Sequence, residues 1–284
     1  MKNWRFALSR RWFGYLAVAL VFAVVCVLLS NWQLSRLEEK RLSNSRVIDN
    51  YDAAPVPLTD VLDDEDSWHD DATWTPVEVT GSYLEDEQVL VRNRPRNGQP
   101  GFEVLTPLQL TDGSVFIIDR GWLPTGNEQD YPDAVPAPPS GEVTVTARLK
   151  PGEPALQGRG APDGQIATVE LSQFSDRLDA PVYTGGYGLL DSETPAPADA
   201  RPYPAFKPEL DEGSHLSYAL QWLVFGLLGF AFLAYAVREE YRHLNADDPD
   251  EQARAAQRAR KREARRTDSD VEDDLVDASG SGAR

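Results

Sequence analysis

Cysteine, histidine and methionine are scarce in this sequence, and their scarcity excludes several classes of protein. One Cys, three His and one Met occur among 284 residues. The single cysteine, Cys26, lies within an apolar run, so an intramolecular disulfide cannot form. A thiolate copper chaperone is excluded because such a site needs more thiolate ligands than the chain has. A net charge of -18 argues against a general nucleic-acid binder, whose surface is usually basic.

Two long apolar runs are present, at residues 12–31 and 216–237. Each has about 20 residues, which is enough to cross the roughly 30 Å hydrocarbon layer of a bilayer as a helix. The first run is longer than the apolar region of a signal peptide, usually about 7–15 residues, and SNWQLSR follows it instead of a small-residue cleavage site. The sequence therefore predicts two transmembrane helices.

Basic residues in the flanks predict the orientation of these helices. Before the first run lie Lys2, Arg5, Arg10 and Arg11. After it lie Arg36, Lys40, Arg41 and Arg46. Beyond the second run lie Arg238 and Arg242. The second run decides the orientation, because the residues that follow it are much more basic than the residues that precede it. The predicted order is a cytoplasmic amino terminus (1–11), a helix (12–31), an extracytoplasmic domain (32–215), a helix (216–237) and a cytoplasmic tail (238–284).

The long segment between the runs has the pattern of a folded β-rich domain. Asp112-Gly113 between two apolar runs is a strong hairpin signal. Strands are predicted at 74–83, 87–94, 101–111, 114–123, 141–150 and 180–190, with a short helix at 170–178, loops near 59–74 and 125–141, and an extended segment at 191–213. The predicted fold class is an α+β membrane protein, in which two transmembrane helices flank an antiparallel β-rich extracytoplasmic domain, either a sheet or a partial barrel.

Polar and aromatic residues mark the start of the second apolar run. At about 100° per residue, His215, Tyr218 and Trp222 lie on one stripe of a helix. One interpretation is an interfacial aromatic belt. The other is a ligand site, in which the imidazole is an axial ligand of heme iron and the indole packs against the macrocycle. Gln221 is expected to face inward and to need a partner such as Gln33.

Five ordered motifs resemble those of the Surfeit locus protein 1 family, which are assembly factors of heme-copper cytochrome c oxidase. They are NWQLSRLEEK, VTGSY, VLVRNRPRNGQPGFEVLTPLQLTDG, VFIIDRGWLP and HLSYALQW, and the resemblance covers about residues 12–240. It implies delivery of heme a to the catalytic subunit of the oxidase, with His215 as the iron ligand and Tyr218 and Trp222 beside it. The remaining motif positions are Trp32, Gln33, Arg36, Gly81, Tyr83, Asp119, Arg120, Gly121, Trp122, Pro124 and Gln221.

The motif DRGW allows two interpretations. In the structural one, Asp119 and Arg120 pair, Gly121 relieves backbone strain and Trp122 fills the core; in the other, the motif is a docking edge for the oxidase. No mitochondrial transit sequence precedes the first helix, so a multi-pass protein of a bacterial plasma membrane is expected, with the lipid bilayer and oxidase assembly intermediates as its partners and no nucleic acid.

Two other functions were weighed. An enzyme would need a histidine in a cleft, and His69, the only histidine far from both apolar runs, lies in the charge run DDEDSWHDD. A structural or accessory component of the oxidase complex that binds no cofactor remains the alternative. In the tail, residues 248–266 are predicted to form a helix that either is solvated or lies near anionic lipid through its charge, and residues 267–284 are predicted to be disordered.

Overall fold

The computed structural model describes residues 4–127, 131–156, 158–198 and 200–263. These residues fall into two compact units. The described parts of 1–37 and 213–284 form one unit, and 38–212 form the other. The helices are α1 (Arg10–Asn50), α2 (Ser172–Ser175), α3 (His215–Leu244) and α4 (Pro249–Glu263).

Helices α1 and α3 contain the two apolar runs and extend beyond them. The segment after Asn31 is rich in Leu, Arg, Glu and Lys and has no Gly or Pro before Pro55, so no helix-breaking residue interrupts α1 before it ends at Asn50. Most apolar side chains of these helices have no protein cover; Val18, Leu227 and Phe232 are 68%, 70% and 72% exposed. Both helices are long and apolar enough to cross a membrane.

The predicted tail helix is observed as α4, with slightly shorter bounds. Asp248 accepts a hydrogen bond from the backbone nitrogen of Asp250 at 2.9 Å, and Pro249 occupies the first helical position. Both features are typical of a helix start. The predicted helical residues 264–266 and the tail 267–284 lie outside the described residues, as do Lys2 and residues 128–130 of the predicted loop.

The described residues of the second unit form eight strands. They are β1 (Val56–Pro57), β2 (Pro76–Tyr83), β3 (Val89–Val91), β4 (Gly101–Leu110), β5 (Val115–Pro124), β6 (Glu142–Pro151), β7 (Gln165–Ile166) and β8 (Gly186–Thr194). Five of them close into a barrel in the order β2–β6–β8–β5–β4, because β2 pairs with both β6 and β4. β3 and β7 extend the sheet from β4, and β1 lies beside β2.

The core explains why β5 has a continuous apolar sequence. Phe116 and Ile118 pack inside one hydrophobic cluster, whereas Val115 and Ile117 pack into a second one on the opposite face, where Phe174 of α2 covers them. A strand that is buried on both faces lacks the alternation of a half-exposed strand. The hairpin predicted at Asp112-Gly113 is confirmed: Asp112 accepts a hydrogen bond from the Ser114 nitrogen at 2.9 Å.

Gly81 lies where the barrel closes. It pairs with Val143 of β6 and with Leu110 of β4, so β2 contacts both neighbours at this residue. A Cβ atom added here would overlap the carbonyl oxygen of Gln109. The glycine is needed because two backbones approach closely, which is the physical reason for its place in the motif VTGSY.

Several predictions about the β-rich unit need correction. β5 and β8 pair in parallel, so the barrel is not purely antiparallel. β8 begins at Gly186 and continues to Thr194, later than the predicted strand at 180–190 and into the segment expected to be extended. The predicted helix at 170–178 is reduced to Ser172–Ser175, and the two-residue strands β1 and β7 were not predicted.

Candidate functional site

The first unit is built on a narrow contact between α1 and α3. Cys26 and Ser30 of α1 are buried, and on α3 the buried positions are Ala219 and Gly226. A Cβ atom added to Gly226 would lie 3.5 Å from the Cβ of Cys26. Small residues at such positions allow helix backbones to approach closely. This contact fixes the relative position of the polar side chains at one end of the pair.

His215, the first residue of α3, is held by Gln33 of α1. The Nδ1 atom lies 2.9 Å from Oε1 of Gln33. When Nδ1–H donates to this carbonyl oxygen, the neutral imidazole keeps its free lone pair on Nε2. Among the described residues, no hydrogen-bond partner of Nε2 is found. A metal-binding histidine is commonly arranged in this way, with one ring nitrogen donating to an oxygen and the other binding the metal.

Aromatic side chains continue from the histidine along the exposed side of α3. Tyr218 is 48% exposed, and Trp222 is half-buried. The rings of Trp222 and Phe225 meet edge to face, with centroids 5.8 Å apart and an interplanar angle of 86°. On α1, Trp32 is exposed, and the Arg36 guanidinium lies 5.9 Å from the centre of its ring. Tyr218 and Trp222 thus lie within about two turns of His215 along α3, with Tyr218 exposed and Trp222 half-buried.

One expectation at this end was wrong. Gln221 does not face inward; it is exposed, and Ala219 occupies the buried position instead. Gln33 is the partner of His215 and not of Gln221. The sequence pattern could not separate these possibilities, because the azimuth of a residue on an isolated helix does not show which side the second helix covers.

This end of the pair presents one imidazole whose Nδ1 is already hydrogen-bonded, and partly exposed aromatic side chains follow it along α3. A single nitrogen ligand followed by aromatic side chains is a set of groups that suits an iron porphyrin. In the part of the chain that the structure describes, no group of three or more His, Cys, Asp or Glu side chains is arranged to hold a metal ion.

The DRGW motif lies in the barrel unit, and its side chains bind other parts of that unit. Oδ1 of Asp119 accepts a hydrogen bond from the Gly121 nitrogen at 2.9 Å. The Arg120 guanidinium, only 1% exposed, donates to the carbonyl oxygens of Pro136 and Ala137 at 2.8 and 3.0 Å. Asp119 and Arg120 thus bond to different partners. The structural interpretation had assumed that they pair with each other, and that part of it is wrong.

The second half of the motif holds the segment that follows β8. Trp122 exchanges two backbone hydrogen bonds with Tyr203, and its indole nitrogen donates to the Arg94 carbonyl oxygen at 2.6 Å. Gly121 has a φ of 125° and lies against the Tyr203 carbonyl group, so a side chain would be both strained and overlapping there. These contacts assign the motif a structural role within the barrel unit.

A partly buried group of charged residues beside the motif was not anticipated from the sequence. Arg94 lies 3.0 Å from a carboxylate oxygen of Glu103 and 2.5 Å from one of Glu153. Burial, and then the charge of Glu103, raise the pKa of Asp119 well above its ordinary value. Arg94, Glu103 and Asp119 border a cavity of about 280 Å³. Arg94 and Glu103 belong to the sequence motif that contains NRPRNGQPG, and this motif is the feature of the sequence from which the charged group could have been predicted.

Tyr83 belongs to a different polar group, in which the Arg120 guanidinium lies 5.7 Å from the centre of its ring. Its hydroxyl group donates to Oε2 of Glu193 at 2.9 Å, and burial raises its pKa far above the ordinary value for tyrosine.

His69 is exposed, and the neighbouring Asp70 and Asp71 pair with Arg46. The structure therefore does not place His69 in a cleft with a nucleophile.

Together these features define a protein with two long apolar helices, a closed five-stranded barrel domain and a tethered imidazole at the start of the second helix. The model of the SURF1 family matches residues 20–227. An uncharacterized SURF1-like protein of Mycobacterium tuberculosis is 34% identical over 247 residues, which cover 83% of this chain and 89% of that relative. The chain belongs to the SURF1 family.

Two more distant relatives extend the comparison. A SURF1-like protein of Rickettsia felis is 22% identical over 227 residues, covering 78% of this chain and 94% of the relative. The cytochrome oxidase assembly protein SHY1 of Saccharomyces cerevisiae is 28% identical over 124 residues, covering 42% of this chain and 30% of the yeast protein.

Proposed function

We propose that this chain is a membrane-anchored assembly factor for heme-copper cytochrome c oxidase, and that it holds heme a through His215 before the heme enters the catalytic subunit. The membership in the SURF1 family and the name of the yeast relative support the assembly role. The observation that supports heme binding is the 2.9 Å contact between His215 Nδ1 and Gln33 Oε1; when Nδ1–H donates in it, the lone pair of the imidazole is on Nε2.

In this proposal α1 and α3 cross a bacterial plasma membrane, and both termini are cytoplasmic. The exposed apolar side chains of these helices need an apolar solvent, because a soluble protein rarely leaves such large apolar surfaces uncovered. Basic residues are concentrated after the second helix, on the side that the positive-inside rule assigns to the cytoplasm. The barrel unit then lies outside the cytoplasm.

Each residue of the site has a distinct task. Nε2 of His215 is the iron ligand, Gln33 fixes the tautomer and ring orientation, and Trp222 with Phe225 provides an apolar wall for the macrocycle. Tyr218 offers a hydroxyl group at the open edge. Bound heme supplies a redox-active iron that is cargo for the oxidase. Coordination by one imidazole favours release to an acceptor, because a single protein bond must break.

The alternative is an accessory component of the oxidase that binds no cofactor. Trp32 and Tyr218 are about half exposed, and aromatic side chains of this kind also suit a contact with another protein. In this case the aromatic surface contacts an oxidase subunit directly, and the imidazole only contributes its hydrogen bond to the packing of α1 against α3.

A complementation experiment separates the two functions. Cells lacking this chain would receive the wild-type gene, His215→Ala, or His243→Ala as a control at an exposed histidine near the other end of α3. Membranes would be assayed for heme a absorbance and oxidase activity. We expect the control to restore both and His215→Ala to restore neither. Full restoration by His215→Ala would refute the heme-carrying role, and no defect in cells lacking the chain would refute the assembly role.

A further inference from the structure

A groove lies at the end of α3 that is opposite His215. One wall is an apolar face of α3, formed by Phe230, Leu233, Ala234 and Val237, which are spaced as neighbours on one side of a helix. Trp4 closes the groove by stacking on Tyr241, with ring centroids 4.4 Å apart and an interplanar angle of 24°. The enclosed volume is about 650 Å³.

Arginine side chains line the polar end of this groove. They are Arg238, Arg242, Arg254 and Arg258, and the only acidic residue that lines the groove among the described residues is Glu251. Glu251 is shared by Arg258 at 2.6 Å and Arg254 at 3.7 Å, while Arg242 pairs with Glu239 at 3.0 Å. Arg238 makes no ion pair within the described ranges. Four guanidinium groups therefore face two carboxylates, which leaves an excess of positive charge.

The turn between α3 and α4 brings these arginines together. Asn245 is buried and donates from its side chain to the carbonyl oxygen of Tyr241 at 2.8 Å, which ends α3. The Gln252 side chain donates back to the Ala246 carbonyl oxygen at 3.3 Å. Arg254 and Arg258 are four residues apart and so lie on one face of α4. The tail helix is thus joined to α3 through a defined turn; Glu251 is buried there, while Arg254 and Arg258 stay partly exposed.

We infer that this groove binds one anionic phospholipid of the membrane, with an acyl chain along the apolar wall of α3 and the phosphate among the arginines. The guanidinium fork matches phosphate geometry and binds it through paired hydrogen bonds. An apolar wall continuous with a cationic rim fits an amphiphile better than a soluble anion, which would leave the wall uncovered. The inference rests on the membrane insertion given under the proposed function, but not on heme binding.

The test is native mass spectrometry of the detergent-solubilised full-length protein, titrated with dioleoylphosphatidylglycerol or dioleoylphosphatidylcholine. We expect one phosphatidylglycerol per chain, bound more tightly than phosphatidylcholine. The double variant Arg254→Gln with Arg258→Gln is expected to weaken this binding by about 30-fold, since each basic residue near an anionic lipid contributes about one kcal/mol. Arg260→Gln with Lys261→Gln removes the same charge from α4 outside the groove and should bind as the wild type does.

Three results would overturn the inference. Equal binding of the two lipids by the wild type would show that the arginines do not distinguish the anionic headgroup from the zwitterionic one. Equal weakening by both double variants would indicate general attraction to charge and not a site. Competition by water-soluble glycerophosphoglycerol at the same concentration as the lipid would exclude a role for the apolar wall. A chain that stays soluble without detergent would instead refute the membrane insertion itself.

Discussion

Replacement of Arg120 by methionine tests whether the DRGW motif stabilises the barrel or docks a partner. The guanidinium donates to two backbone carbonyl oxygens, of Pro136 and Ala137, and to the side chain of Gln88 at 3.3 Å. Each hydrogen bond from a charged group contributes about 1.5–3 kcal/mol. Because all three bonds belong to one side chain, the substitution is expected to cost about 3–5 kcal/mol, as for the loss of one partner of a buried charged pair.

The assay is thermal unfolding of the purified full-length protein in detergent, followed by tryptophan fluorescence. For a domain of this size, 1 kcal/mol corresponds to about 2–4 °C, so the barrel should unfold about 6–20 °C lower. Arg159→Met, at an exposed position, is the matched control and should leave the transition unchanged. Unfolding of Arg120→Met at the wild-type temperature, together with a loss of oxidase assembly, would refute the structural role and favour a docking role.

Three further substitutions give separate tests. Gln33→Leu should weaken heme binding by about 10–100-fold, since it removes the oxygen that orients His215; Gln33→Glu keeps an acceptor and should bind heme as the wild type does. Burial raises the pKa of Asp119, so its contribution to stability is full below about pH 4 and is lost as pH rises towards the folded-state pKa. Asp119→Asn removes the ionisable group and keeps an oxygen that can accept the hydrogen bond from the Gly121 nitrogen. The unfolding temperature of the variant should therefore fall less with rising pH than that of the wild type; an unchanged slope would contradict the assignment. Gly81→Ala should lower the unfolding free energy by about 1–3 kcal/mol through its overlap with Gln109, and unaltered chemical denaturation would show that the barrel closes elsewhere.

The parts of the fold that were predicted correctly depend on short-range patterns. Asp112-Gly113 fixes a hairpin locally, and the alternation of Val143 and Val145 marks one buried face of β6. The apolar runs place two helices because their length and composition leave few other structures. The end of α1 was missed, since a helix ends where backbone hydrogen bonding stops and not where apolar residues stop.

Long-range pairing could not be read from the sequence. The parallel contact between β5 and β8 joins residues that are far apart in the chain, and side-chain alternation is the same for parallel and antiparallel strands. The short strands β1 and β7 have too few residues for a pattern. One interpretation of the DRGW motif paired Asp119 with Arg120. Successive residues of a strand point to opposite faces, however, so the two side chains bond to different partners.

At the proposed heme site, the sequence identified the residues but not their relations. His215, Tyr218 and Trp222 follow from helical spacing, whereas the bond from His215 to Gln33 depends on the register of two helices that are distant in the chain. The groove with Arg254 and Arg258 was also inaccessible, because it requires the turn at Asn245 that folds α4 against α3.

The most direct test of the proposed function is an absorption titration of the purified full-length protein with heme a. The wild type should bind one heme per chain with the spectrum of an imidazole-ligated iron, and His215→Ala should lose that spectrum, with partial recovery when free imidazole is added. Identical spectra and affinities for the wild type and His215→Ala would contradict the assignment of this imidazole as the iron ligand.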